Sequence, residues 1–190
     1  MNSETVAPVM TAEEFFSLPD DGIDRQLIRG ELREKSMTRR NRKHSRAEGK
    51  LAHFLHQWLA GQPEPRGEIL DGEAGFHIRR DPDTGVGIDL AYISAELSAA
   101  TPEDAVYVDG APVLAVEILS PSDTQEDILD KVSEYLATGV AQVWLVEPVF
   151  RTVTVYRAGT EPQFFNASEE LSGDPELPGL RIKVAEIFSK

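Results

Sequence analysis

Two β-prone apolar runs, Val86-Gly-Ile-Asp89-Leu-Ala-Tyr-Ile93 and Val113-Leu-Ala-Val-Glu117-Ile-Leu119, each carry one carboxylate, Asp89 and Glu117. Runs this apolar belong inside a sheet, where an unpaired charge costs several kcal/mol or shifts its pKa. A chain that puts acids there needs a cation beside them, and a metal ion or a lysine is the obvious candidate. In the second run, alternation places Val113, Ala115, Glu117 and Leu119 on one face and Leu114, Val116 and Ile118 on the other. Both faces are apolar, so this strand is central to its sheet.

The flanking segments set those strands among helices. Thr11-Ala-Glu-Glu14 has capping-box spacing and predicts a short helix ending near Pro19. Leu27 to Lys35 reads as a strand that bends at Gly30 and Glu31, and Glu73 to Arg79 as another, leading into the turn Asp81 to Gly85. From about Arg42 to Leu59, apolar Ala47, Leu51, Phe54, Leu55, Trp58 and Leu59 recur every three or four residues, the pattern of an amphipathic helix stopped by Gly61 and Pro63. Ser94 to Gly110 is a polar, Ala-rich connection. Residues from Ser120 cap a helix reaching Thr138, with Ile128, Leu129, Val132, Tyr135 and Leu136 inward and Gly139 past its end. Gln142 to Val146 and Thr152 to Arg157 form a hairpin, Phe164 and Phe165 extend the sheet, and Val184 to Phe188 docks as a last turn. Tyr135 and Trp144 are expected to serve the core.

At 190 residues and 41% hydrophobic, the chain suits one well-cored domain of the α/β class, a central mixed β-sheet flanked by helices. Its expected parts are a helical extension over 1–26, a core over 27–170 and a docking segment over 171–190. With no cysteine, thiol nucleophiles and Cys-ligated zinc are excluded. No apolar run approaches the roughly 20 residues of a membrane span, and Met1 to Met10 lacks the features of a secretory signal, so a cytoplasmic location is expected. The net charge of -14 argues against a broad electrostatic grip on nucleic acid. Yet seven of the 19 basic residues fall between Lys35 and Lys50, with Glu48 the one acid among them, which makes one helix end cationic. Arg39, Arg40, Arg42, Lys43 and Arg46 are therefore the candidate nucleic-acid contacts, against a plain solvated helix face.

Asp89 and Glu117 lie on strands expected to be neighbours, and Lys131 lies on the helix after the second strand. Two carboxylates and an amine can converge there. Mg²⁺ takes oxygen ligands of this kind, with waters and phosphate oxygens completing its shell. Such an ion activates water and polarises a phosphoryl group, while a lysine neutralises charge in the transition state.

These residues resemble a known family. Ile88-Asp89, Ala115-Val-Glu117-Ile-Leu-Ser-Pro-Ser122, Asp127-xxx-Lys131-xxx-Tyr135, Gly139-Val140 and Val143-Trp-Leu-Val146 are similar to the bacterial Uma-type restriction endonuclease family of the PD-(D/E)XK nuclease superfamily. Leu27-Ile-Arg-Gly-Glu31-Leu, His44 and Leu177-Pro-Gly-Leu180 extend the likeness over nearly the whole chain. The resemblance implies a restriction endonuclease-like core and a metal-dependent endonuclease acting on DNA with Mg (or Mn). By position, Asp89 becomes the motif aspartate, Glu117 the second metal ligand, the Ile118 carbonyl a third, and Lys131 the displaced lysine. His44, Glu31 and Asp127 are candidates for supporting the site; otherwise His44 starts a helix, Glu31 pairs across a hairpin and Asp127 pairs with Lys131. Two positions depart from the pattern: Ile88 stands where proline is usual, and Leu119 where the superfamily's ordinary lysine falls. The same resemblance implies a homodimer.

The alternative is a catalytically weak or inactive nuclease-fold protein acting as a binding or assembly module with a partner protein, which the -14 charge and Leu119 motivate. A glycosidase using the two acids is disfavoured, because both tryptophans, Trp58 and Trp144, read as core.

Overall fold

Thr11 caps the first helix as its spacing demands: its hydroxyl accepts from the Glu14 N–H, and the Glu14 carboxylate accepts from the Thr11 N–H at 2.9 Å. The structure, a computed structural model, describes residues 9–19, 21–36, 41–121 and 123–190. The short helix, α1 (Ala12–Phe16), lies flat on the sheet because glycines leave room for its rings. A Cβ at Gly85 would come 2.8 Å from the Phe15 ring, and one at Gly75 2.9 Å from the Phe16 ring.

The bent strand expected over Leu27 to Lys35 is a hairpin of two strands, β1 (Ile23–Ile28) and β2 (Glu31–Ser36). Arg29 and Gly30 both have positive φ, the conformation that lets a two-residue loop follow the strand twist. After α2 (Arg42–Ala60) comes a longer hairpin, β3 (Glu68–Arg79) and β4 (Thr84–Ile93), in which β3 begins five residues before the expected Glu73. Its early half bulges at Gly72 and Glu73, both at positive φ, opposite Asp89. The Ser94 to Gly110 connection holds a helix, α3 (Ala95–Ala100), started by the Ser94 side chain, and a two-residue strand, β5 (Val108–Asp109). Then follow β6 (Leu114–Ile118), α4 (Gln125–Ala137), β7 (Gln142–Glu147), β8 (Thr152–Tyr156) and β9 (Gln163–Phe165). The chain ends with β10 (Glu170–Ser172), β11 (Arg181–Lys183) and α5 (Val184–Ile187).

Nine strands form one mixed sheet in the order β2-β1-β4-β6-β7-β8-β9, with β3 on the other edge of β4 and β5 beside β3. The β6–β7 pair is parallel, and α4 supplies its crossover. One sheet face carries α2, α5 and the C-terminal segment over Leu90, Leu114, Val116 and Ile118. The other carries α4, whose Val132 and Tyr135 cover Ala115, Val143 and Ile88. The two faces of β6 are thus as alternation predicted. Leu129, expected inward on α4, is 46% exposed; the helix turns its Val132–Tyr135 stripe to the sheet instead. The C-terminal segment belongs to the core: Leu171, Leu177, Ile182, Val184 and Ile187 are buried, and the buried Gln142 amide donates to the Gly173 carbonyl at 3.1 Å. No helix among the described residues is long and apolar enough to cross a membrane.

The sheet parts beside β4. On the edge away from β3, β1 meets β4 at Gly85 and β6 meets it at Leu90 to Tyr92. Val86 to Asp89 therefore face an opening between β1 and β6. Glu134 fixes the frame around that opening. Its buried carboxylate accepts from Arg79 Nε at 2.6 Å, Arg29 Nε at 2.9 Å and the Thr84 hydroxyl at 2.8 Å, tying α4 to both hairpins. Burial opposes the charge, but these donors outweigh it and hold the Glu134 carboxyl below its ordinary value. Replacing Glu134 by alanine strands two arginines that keep partial access to water. The expected loss is about 3 kcal/mol, or about 10 °C in Tm for a domain of this size. Thermal unfolding of Glu134→Ala checks this, and a loss below about 1 kcal/mol would contradict the anchoring role.

Candidate active site

Strands β4 and β6 deliver their carboxylates to the opening from two sides. Asp89 is 7% exposed, and its Oδ2 accepts from the Ile118 N–H at 2.8 Å. That N–H is available because β6 has run past its pairing with β4. The N–H and C=O of one strand residue point to the same side, so the Ile118 carbonyl is directed toward the same opening. His44, buried in the first turn of α2, brings Nε2 to 3.4 Å from the same Asp89 oxygen and Nδ1 to 3.6 Å from Glu48.

Glu117 is held from the α4 side. Lys131 Nζ donates to its Oε2 at 2.9 Å, and the Tyr135 hydroxyl donates to its Oε1 at 2.7 Å. Residues 131 and 135 are one turn apart on one face of α4, so a single helix supplies both donors. Lys131 therefore reaches the Glu117 carboxylate from the helix, and Asp127, its alternative partner by spacing, pairs with Lys35 at 2.7 Å instead. Tyr135, which its spacing assigns to the core, is buried as expected but has its hydroxyl in the site. An aromatic four residues after the lysine was the available signal. Asp24, on β1, has no motif or spacing to mark it in the sequence; its charge reaches Lys131, and it lines the same cleft.

Electrostatics here are tight. Burial pushes the Glu117 carboxyl from its ordinary 4.5 up to about 7; Lys131 and Tyr135 favour the charged form, and the like charge of Asp89 disfavours it. Burial works against the Lys131 ammonium too, but the Glu117 carboxylate, with Asp89 and Asp24, holds its pKa above the usual lysine value. Burial and the Glu117 and Asp89 carboxylates keep the Tyr135 hydroxyl protonated. Near neutral pH the Lys131 ammonium thus faces a Glu117 carboxyl close to its midpoint.

The cleft above these residues is about 1230 Å³ and takes in His44, Asp24, Glu73 and Asp123 alongside Arg33 and Lys35. Of the remaining candidates, Asp127 lines the cleft as the acid of its Lys35 pair, while Glu31 sits exposed at the β1–β2 turn and does not line it. Arg42 and Lys43 are exposed at the start of α2 and Arg46 is half-buried; Lys43 shares a small surface pocket with Leu119, Ser120 and Val149, next to the end of β6. Arg39 and Arg40 lie outside the described residues. Among the described residues, no three His, Asp or Glu side chains converge as a closed metal cage. Two carboxylates and a backbone carbonyl are hard oxygen donors, the type of ligand that Mg²⁺ or Mn²⁺ would take alongside several waters. Both Glu117 oxygens have accepting capacity left beyond their present donors.

The raised Glu117 pKa has a measurable consequence without metal. A carboxyl whose folded pKa exceeds its unfolded value stabilises the fold fully below the unfolded value, and that contribution is lost as pH rises through the folded one. Chelator-treated protein is expected to lose on the order of 3 kcal/mol of this contribution between about pH 4.5 and pH 8. Denaturant unfolding at pH 5 and pH 8 measures it, with Glu117→Gln flattening the difference. Equal pH dependence in the variant would remove Glu117 as its source.

The model of the Uma2 family, described as "Putative restriction endonuclease", matches residues 12–185. A solved structure, described as a putative nuclease belonging to DUF820 from Anabaena variabilis, is similar with a TM-score of 0.77 over 94% of this chain and 97% of that one. At 21% identity, that likeness speaks for a shared fold. No curated protein matches the chain. With the family match spanning nearly all of the sequence, the chain belongs to the Uma2 family of restriction endonuclease-like proteins.

Proposed function

We propose that this protein is a divalent-metal-dependent endonuclease that hydrolyses DNA phosphodiester bonds at a PD-(D/E)XK-type site. The observation that carries the reading is the Lys131 amine at 2.9 Å from Glu117, beside Asp89 in the sheet opening. An amine from α4 takes the place of the lysine that Leu119 does not supply. Asp89, Glu117 and the Ile118 carbonyl would hold Mg²⁺ or Mn²⁺. Such an ion, when bound, lowers the pKa of water and offsets charge on a phosphoryl group. Lys131 uses one of its three donors on Glu117, which leaves two to orient water and to neutralise charge that builds on the phosphate. Tyr135 orients Glu117. Arg42, Lys43 and Arg46 supply attraction for the phosphate backbone on an otherwise acidic body.

Plasmid nicking with Mg²⁺ or Mn²⁺ tests the reading. The native chain is expected to nick DNA only with the metal. Asp89→Asn and Lys131→Met are each expected to lower the rate about 100-fold or more. Metal-independent nicking, or undiminished nicking by Asp89→Asn, would sink the proposal. Tyr135→Phe should lower activity about tenfold and raise the metal concentration needed, since it removes a donor that orients a ligand. An unchanged metal requirement would make Tyr135 a packing residue only. The second reading, a nuclease-fold binding module, draws on the acid-rich cleft. Absence of calorimetric Mn²⁺ binding together with absence of nicking would favour it.

A further inference from the structure

Three acids on one side of α4 face three bases on the β1–β2 hairpin. Lys35 Nζ lies 2.7 Å from Asp127, Arg33 Nη1 lies 3.3 Å from Asp130, and Arg29 Nε lies 2.9 Å from Glu134. The register has a simple cause. Residues 33 and 35 share one face of β2, and residues 127, 130 and 134 recur at helical spacing on α4. The rungs differ in kind. The Glu134 rung is locked, with its carboxylate buried and shared with Arg79 and Thr84. At the other two rungs, all four side chains are 38% to 54% exposed, the setting in which ion pairs contribute little to stability and exchange readily.

Those two open rungs border the cleft that holds Asp89, Glu117 and Lys131, and Arg33 and Lys35 line it. We propose that Arg33 and Lys35 form a phosphate-binding site for a nucleic-acid strand entering this cleft, and that Asp127 and Asp130 occupy that site in the free protein as stand-ins for phosphates. The proposal rests on the nuclease reading and adds a binding site separate from the basic start of α2. A carboxylate and a phosphate present the same kind of acceptor to arginine and lysine. Backbone phosphates therefore displace the acids rung by rung, while the Glu134 rung keeps the hairpin attached. The acids also give the cleft selectivity, because an isolated anion meets a base that is already paired, whereas a strand offers several phosphates at once.

Affinity for a labelled 20-base-pair DNA duplex, measured with Ca²⁺ in place of Mg²⁺, tests the proposal. The expected result for Asp127→Asn with Asp130→Asn is binding roughly three- to tenfold tighter than the native chain. Arg33→Ala with Lys35→Ala should bind more weakly and flatten the slope of log affinity against log salt by about two. On that background, the two asparagine substitutions should bring no tightening. Glu126→Gln, one residue from Asp127, controls for the general loss of negative charge, and unfolding curves control for the cap that Asp127 makes with Thr124. Tightening that persists without Arg33 and Lys35, or that Glu126→Gln reproduces, overturns the masked site and leaves the nuclease reading standing. Failure of every protein in the set to bind DNA overturns both.

Discussion

Bringing the Glu117 carboxylate and the Lys131 ammonium together under α4 costs both groups most of their water, and the site depends on how that cost is met. Attraction between the two offsets part of it, and the Tyr135 hydroxyl satisfies the second Glu117 oxygen. Asp89 works the other way, since its like charge helps burial to push Glu117 up to about 7. The cluster is therefore stable enough to fold and yet short of positive charge. That imbalance is the physical ground on which a divalent cation is proposed for the opening between β1 and β6.

Helix α4 carries more of this architecture than its 13 residues suggest. Val132 and Tyr135 bury against the sheet, which sets the helix at a fixed height over β6. Lys131 and Tyr135 then reach Glu117, Glu134 binds Arg29 and Arg79, and Asp127 and Asp130 meet β2. One rigid element thus couples the core, the carboxylates and the hairpin wall. The same coupling leaves the net charge untouched: Asp127, Asp130, Glu117 and Glu134 are partners to bases within the fold, so the excess of acids sits elsewhere in the chain.

Long, strongly patterned elements are legible in the sequence alone. The apolar repeats of α2 and α4, the two-faced apolar run of β6 and the β7–β8 hairpin all appear as expected, because local periodicity dictates which faces must be buried. Short elements whose partners are remote are not legible in this way. The first half of β3 and β5 lie in polar or broken stretches, and only pairing to β4 or β3 makes strands there. Leu129 illustrates the same limit within a helix: its spacing allows an inward position, but the sheet beneath α4 is covered by Val132 and Tyr135.

By itself, the sequence determined that two carboxylates would be buried in neighbouring strands and that a cation would have to answer them, since no apolar strand tolerates a lone charge. Tertiary structure alone decided which cations and donors do so. Periodicity left Lys131 a choice between Asp127 one turn away and Glu117 across the crossover, and the packing of α4 on the sheet gave it Glu117. It likewise turned a core tyrosine into a donor to Glu117, brought Asp24 within reach of the lysine and set Asp127 and Asp130 against Lys35 and Arg33. Each of these depends on a distance between segments far apart in the chain, which residue types and spacing do not contain.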